Sequence, residues 1–350
     1  MESNRLTTLL NIRYPFVQAP MLGITTPAMV AAVSNAGGLG SLPVGGLPPE
    51  RVTALIREVK TMTSKPFAVN LFTYEEPALD NPTAFQKMQQ WLLTLYKSHH
   101  LITAPVVYED IRIYSYREQL PALLAEGVSL VSFTFGVPDA AGIATLKAHH
   151  CKLIGTATSV AEAQILEKAG VDVIVAQGIE AGGHRGSFLE GPLPQVGTMA
   201  LVPQMADRIS LPVIAAGGIS DPRSIAAAFS LGAAGVQCGS VFLKCQESAA
   251  TPHHKAMLSG IADTGTRLTR AFSGRWARGI PNVLMDSIEA SGLEINSYPV
   301  QDALTQPARK LAKEQDNSDF IVMYAGQAAQ MARELPAAVI IEELVAGIPL

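Results

Sequence analysis

Residues 156–178 read TATSVAEAQILEKAGVDVIVAQG, and residues 216–240 read AGGISDPRSIAAAFSLGAAGVQCGS. Both stretches follow one plan: a strand end, a capped helix, a glycine stop, then the run that starts the next strand. In the first, Ser159 and Glu162 have the S-x-x-E spacing of a capping box, and Gly170 closes the helix. In the second, Asp221-Pro222 opens the helix and Gly232 ends it. Repeated βα units with such short loops predict parallel strands joined by right-handed crossovers.

The same plan extends in both directions. Short apolar runs at 16–20, 38–42, 67–72, 128–136, 152–158, 171–177, 212–218 and 235–243 make eight predicted strands. Thr26 before Pro27 marks another helix start, with Gly37-Gly38 as its stop. Eight βα units point to an α/β fold of the (β/α)8 TIM-barrel type, which takes about 250 residues. A doubly wound open sheet would gather its site at one crevice. Here the candidate site residues lie at the ends of many strands, which favours the barrel. The division expected is a barrel over 1–250 with an extended insertion at 73–125. A mainly helical lid or substrate segment follows at 251–330. A C-terminal helix, near 336–346, returns to the barrel within 331–350.

Composition narrows the function. The 350 residues are 48% hydrophobic and 16% charged, which excludes a disordered chain. A net charge of −4 gives nucleic acid or an anionic membrane nothing overall to bind. The uncharged runs 14–49 and 224–243 are interrupted by proline or glycine, so they read as buried strands and not as membrane helices. Cys151, Cys238 and Cys245 form no C-x-x-C pair and read as buried free thiols. With no signal pattern in MESNRLTTLLNIRYP, they point to a cytoplasmic protein. No metal site is expected, and a homo-oligomer is compatible with the chain.

In a barrel, the site forms where strands end and βα loops begin. Those positions hold Pro20 and Met21 after the first strand, Asn70 in the third, and Ser132 in the fourth. Gln177 and the loop GIEAGGHRG (178–186), with Gly182, Gly183 and His184, follow the sixth. Gly217 and Gly218 follow the seventh, and Gln237, Cys238, Gly239 and Ser240 end the eighth. Glycines beside a helix start expose N–H groups that suit phosphate. Neither a Walker loop nor a Rossmann glycine motif is present. Seven histidines occur, six of them in adjacent pairs (99–100, 149–150, 253–254) expected to be solvated. Only His184 stands at a strand's carboxyl end, where imidazole can act as acid, base or cation. Arg267, Arg270, Arg275 and Arg278 read as a solvated face over Trp276, with an anion clamp as the other reading.

Taken together, PFVQAPMLGITTPAMVAAVSNAGGLGSL (15–42), FAVNLF (67–72), AQGIEAGGHRG (176–186), PVIAAGGISD (212–221), GVQCGSVFL (235–243), FSGRWARG (272–279) and YAGQ (324–327) resemble the nitronate monooxygenase family. The resemblance implies an FMN-dependent oxidoreductase. Its substrates would be an alkyl nitronate, such as propionate 3-nitronate, and O2. Its products would be a carbonyl compound and nitrite, formed through a flavin semiquinone. It implies His184 as the catalytic residue. Pro20, Met21, Asn70, Gln177, Gly182, Gly183, Gly217, Gly218 and Gln237–Ser240 become FMN contacts. Ser132 and Tyr324 become substrate contacts. Whether His184 works as a cation or as a base stays open at this stage. The rival activities are an FMN-dependent enoyl-ACP reductase, related in sequence, and a flavin-binding protein without turnover.

Overall fold

The computed structural model describes residues 4–74 and 81–349. Part of the expected 73–125 insertion, residues 75–80, lies outside the described residues, as do the first three residues of the chain. Eight strands form one parallel sheet: β1 (Phe16–Gln18), β2 (Gly40–Pro43), β3 (Phe67–Phe72), β4 (Leu130–Thr134), β5 (Lys152–Ala157), β6 (Val173–Gln177), β8 (Val213–Ala216) and β9 (Gly235–Cys238). A short strand, β7 (Gly183–His184), interrupts the series. β1 pairs with β9. On its other side the Leu39 carbonyl accepts from Gln18 N at 2.9 Å, and Leu39 N donates to Phe16 O at 2.8 Å. Those bonds close the sheet into a barrel.

Side chains alternate across each strand. The inward set begins aliphatic, with Val17, Leu39, Ala68, Leu130, Ile154, Val173 and Ile214. Leu6 and Leu10, from a short helix at Arg5–Leu10, join that cluster and plug the amino-terminal end. Nearer the carboxyl ends the same rows become polar: Asn70, Ser132, Thr134, Thr156 and Gln177. A layer of hydrogen-bonding groups thus stands on an apolar floor. The outward rows pack against the surrounding helices. Gly40 shows how tightly: a Cβ there would come within 2.3 Å of the Val30 carbonyl.

The helix signals hold in part. Thr26 caps Pro27–Asn35, Asp221 caps Pro222–Ser230, and Gly170 closes Val160–Ala169 in a left-handed conformation. Ser159 does accept from Glu162 N, but the Glu162 carboxylate turns away from the expected box. It accepts instead from Thr158 N, Thr158 Oγ1 and Phe188 N at 2.6–2.8 Å.

Seven of the eight strands are shorter than the sequence predicts, three of them by three residues or more. The fourth stops at Thr134 because Phe135 (φ 75°) and Gly136 (φ 140°) break the ladder. The seventh stops at Ala216 because Gly217 and Gly218 have φ of 105° and 72°. The eighth stops at Cys238, and Ser240–Phe242 turns into a 3₁₀ helix.

Within 251–330, helices Pro252–Gly260, Val283–Ala290 and Val300–Glu314 gather a second apolar core with helix Pro82–Ser98. The segment also contains β10 (Arg267–Thr269) and β11 (Ala277–Gly279), which helical patterning did not anticipate. The C-terminal helix spans Ala337–Leu344, and its buried Ile340, Ile341 and Leu344 join the main core. No described helix is long and apolar enough to cross a membrane.

Candidate active site

β7 carries His184, and it does not pair with the barrel. It pairs with β11, Ala277 opposite His184 and Arg278 opposite Gly183, and β11 pairs with β10. The histidine therefore hangs on a small antiparallel sheet shared between the barrel and the 251–330 segment. Gln177 ties that sheet down. Its Nε2 donates to His184 O at 3.0 Å, and its Oε1 accepts from Gly186 N at 2.8 Å.

Gly182 is fixed by close approach. A Cβ there would meet Gly326 N at 2.4 Å and Ala325 C at 2.5 Å. The YAGQ loop thus packs directly on the histidine loop. Ser240 Oγ accepts from Gly326 N at 2.9 Å, and Gln327 N donates to Glu180 O at 2.9 Å.

His184 Nε2 lies 2.7 Å from Ser273 Oγ. The ring stands edge-on to Phe135 (5.7 Å between centroids) and to Tyr324 (5.2 Å). Burial lowers its pKa to about 4; Asp302 opposes this, while Arg275 and Arg309 add to it. The imidazole is therefore neutral at neutral pH. Ser273 Oγ already accepts from Arg275 N at 3.3 Å and points its own proton towards Arg275 O at 3.5 Å. It is best placed to accept from Nε2–H, which leaves Nδ1 as the basic nitrogen. Phe135 holds φ 75°, rare for an aromatic residue, to present its ring here.

Asn70 Nδ2 donates to Ser132 Oγ (3.0 Å) and Thr134 Oγ1 (3.2 Å) across β3 and β4, so Ser132 belongs to the barrel's polar layer. Gln237 sits opposite Val17 and Ala216. Gly239 faces Met21: a Cβ there would lie 3.6 Å from its Sδ. Pro20 precedes it in the same partly buried turn. Cys238 points outward by alternation, and its thiol is buried in the aliphatic layer between strands and helices. Gly217 and Gly218 turn in left-handed conformations after β8. Among the described residues, no protein acceptor takes the N–H groups of Gly218, Ile219 or Gly239. These free donors, at adjacent strand ends, suit a bound phosphate.

Two groups of residues depart from the sequence expectations. Only Arg267 of the four arginines is an exposed ion-pairing residue, beside Asp286 and Glu289. Arg278 is buried and donates to Ile179 O at 3.0 Å, Arg270 Nε donates to Gly274 O, and the Arg275 guanidinium stacks 4.2 Å over Phe135. Trp276 does not lie beneath them; it is 41% exposed. The β10–β11 pairing puts Arg267 and Arg278 on opposite faces, and Arg270 and Arg275 lie in the turn between the strands. His254 is likewise not solvated but 2% exposed, packed under the Tyr324 backbone on helix Pro252–Gly260.

Burial holds His254 at a pKa of about 4, against a contribution from the Tyr324 carbonyl. A folded-state pKa below the unfolded value means that the unfolded chain takes up the proton first. Stability is therefore full above about pH 6.5 and falls as pH drops towards 4, by on the order of 3 kcal/mol. We expect His254→Gln to flatten the loss of Tm between pH 6.5 and 4.5; parallel curves for both proteins would contradict the assignment.

Residues 3–347 match the family model for nitronate monooxygenase. The chain belongs to the nitronate monooxygenase family. Family membership makes it an oxidoreductase enzyme. It is 42% identical to the probable nitronate monooxygenases of Staphylococcus saprophyticus and Staphylococcus aureus, over 98% of this chain and 97% of each of theirs. Among solved structures it is similar to the nitroalkane oxidase of Streptomyces ansochromogenes, with 36% identity and a TM-score of 0.89. That match covers 98% of this chain and 97% of the other. It is also similar to FabK of Thermotoga maritima, with 29% identity, a TM-score of 0.75, and coverage of 99% and 96%.

Proposed function

We propose that this family member binds FMN and oxidises alkyl nitronates, propionate 3-nitronate among them, with O2 to a carbonyl compound and nitrite. One observation carries the reading. A neutral, partly buried imidazole, fixed by Ser273, faces the aromatic walls of Phe135 and Tyr324 and lies close to an arginine. Such a site suits a small planar anion that needs little acid–base work.

The chain's own residues then divide the task. Backbone N–H groups at Gly218 and Gly239, with Gly217 and Ser240 beside them, would hold the FMN phosphate. Asn70, Gln177 and Gln237 offer amides from the barrel's polar layer, and Pro20 and Met21 offer an apolar rest for the ring. Backbone at Gly182, Gly183 and Cys238 completes the contact surface. Ser132 and Tyr324 border the substrate side, where the half-buried tyrosine and the buried Phe135 exclude water. His184 positions the substrate and can accept a proton at Nδ1. Bound FMN supplies the electron-accepting chemistry and passes electrons to O2.

The test is a purified yellow protein given propionate 3-nitronate without NAD(P)H. Oxygen uptake with stoichiometric nitrite is expected. Fast NAD(P)H oxidation with an enoyl thioester and no nitrite would replace this reading with a reductase, which the likeness to FabK keeps in view. A flavin that no substrate bleaches would leave a binding protein without turnover.

A further inference from the structure

Among the described residues, every other arginine of 267–309 has an acceptor. Arg267 pairs with Asp286 and Glu289, Arg270 donates to Gly274 O, Arg278 to Ile179 O, and Arg309 to Asp302 at 2.7 Å. The Arg275 guanidinium has none. Its buried Nε lacks a hydrogen-bond partner, and among the described residues no carboxylate forms an ion pair with it. Its flat face lies 4.2 Å over Phe135 and 5.9 Å from the Tyr298 ring centre. Its own backbone N–H reaches Ser273 Oγ, the hydroxyl that meets His184.

A cation out of water without a counter-anion is costly, and burial already works against the charged form of Arg275. The aromatic stack holds the plane of the guanidinium while leaving its edge free. A guanidinium edge matches two oxygens in one plane. The neighbouring imidazole carries no charge to compete for an anion, and Asp302 is already occupied by Arg309. A nitronate has a planar CNO₂⁻ group. The neutral nitroalkane has the same oxygens without the charge.

We infer that Arg275 is the anion-recognition residue of this site and selects the nitronate anion over the neutral nitroalkane. The inference rests on the proposed function for the identity of the anion, but not for the anion site itself. The test compares FMN-loaded wild type, Arg275→Met and Arg275→Lys. The probe is isobutyrate, a non-oxidisable carboxylate with the shape of propane-2-nitronate, titrated by calorimetry.

Arg275→Met should weaken isobutyrate binding about thirtyfold, and Arg275→Lys should recover part of it, as expected for loss and partial return of a charge-assisted bond. KM for propane-2-nitronate should rise by a similar factor, and KM for neutral 2-nitropropane by several-fold less. Equal isobutyrate affinity in wild type and Arg275→Met, or no binding to wild type, overturns the inference. If Arg275→Met does not fold, Arg275→Lys still reads the loss of the bidentate fork, and an unchanged affinity there also overturns it. Absence of nitrite from wild type given nitronate counts against the proposed reaction only, because the isobutyrate titration is read separately.

Discussion

Replacing His184 with asparagine is expected to lower kcat/KM for neutral 2-nitropropane by about 10²–10³-fold, in the range of general-base catalysis. Preformed propane-2-nitronate should lose less than about tenfold. The asparagine amide stands where Nδ1 does and is too short to reach Ser273 Oγ, 2.7 Å from the imidazole Nε2, so the loop should keep its place through the β7–β11 pairing and Gln177. What it removes is the basic Nδ1. The difference between substrates is therefore the informative quantity. A nitronate has already lost its carbon-bound proton, and only the neutral substrate asks the histidine for proton abstraction. The pH dependence follows from the same burial. With a pKa of about 4, the free enzyme holds a neutral imidazole throughout the neutral range. The acid limb of kcat/KM on the neutral substrate should then lie near pH 4–5 and not near the ordinary histidine value of about 6.5. A base with so low a pKa is also a weak one. Wild type should accordingly prefer the nitronate at every pH above that limb. Equal losses on both substrates, or activity that falls as pH rises through the histidine pKa, would show that His184 acts as a cation; an acid limb near 6.5 would show a base without the burial shift.

The barrel was legible because its signals are local. Asp221-Pro222 and Thr26-Pro27 cap helices by contacts three residues away, and Gly170 ends one by its own backbone conformation. Strand order followed from repetition of those units. His184 and the glycines at 217–218 were legible for a similar reason, since each stands at a strand's carboxyl end. The surroundings of His184 were not legible. Ser273 meets it from 89 positions away, and Tyr324 from a loop beyond two further helices. No spacing rule links them. Phe135 gave one faint signal, an aromatic residue before Gly136 at a predicted strand's end, but not its left-handed φ. The arginines at 267–278 were misread because a cluster in sequence is not a cluster in space: the β-ladder puts Arg267 and Arg278 on opposite faces, and Arg270 and Arg275 sit in the turn between. Gly182 illustrates the same limit. The resemblance made Gly182 a cofactor contact, yet its missing side chain makes room for Ala325 and Gly326.

Arg185→Met is expected to destabilise the fold by about 3–5 kcal/mol, the cost of losing two buried hydrogen bonds from a charged donor. Arg185 follows His184 directly and is 1% exposed, the bulkiest of the fully buried side chains. Its two Nη atoms donate to Gly178 O at 2.5 Å and Gln177 O at 2.8 Å, and its backbone N–H donates to Trp276 O at 2.8 Å. Burial pulls its pKa down to about 10, with Arg278 adding to this and Glu162 and Glu180 opposing it, so it stays charged at neutral pH. The side chain thus folds back from the loop onto the end of β6 and pins the loop there. Methionine keeps much of the stem volume but takes its donor from the Gln177 carbonyl, leaves the Gly178 carbonyl with Ala181 N alone, and removes one positive charge near Glu162 and Glu180. Arg185→Lys should lie between the two, because a single ammonium cannot serve two carbonyls in the same geometry. For a chain of 350 residues, the loss should lower Tm by roughly 5 °C or more. Catalysis supplies the readout that stability alone would not. If Arg185 positions the histidine, kcat on neutral nitroalkane should fall further than kcat on nitronate in samples that remain folded and flavin-loaded. A wild-type Tm together with a wild-type ratio between the two substrates would mean that β7 is held by its pairing with β11 and by Gln177, without help from the arginine.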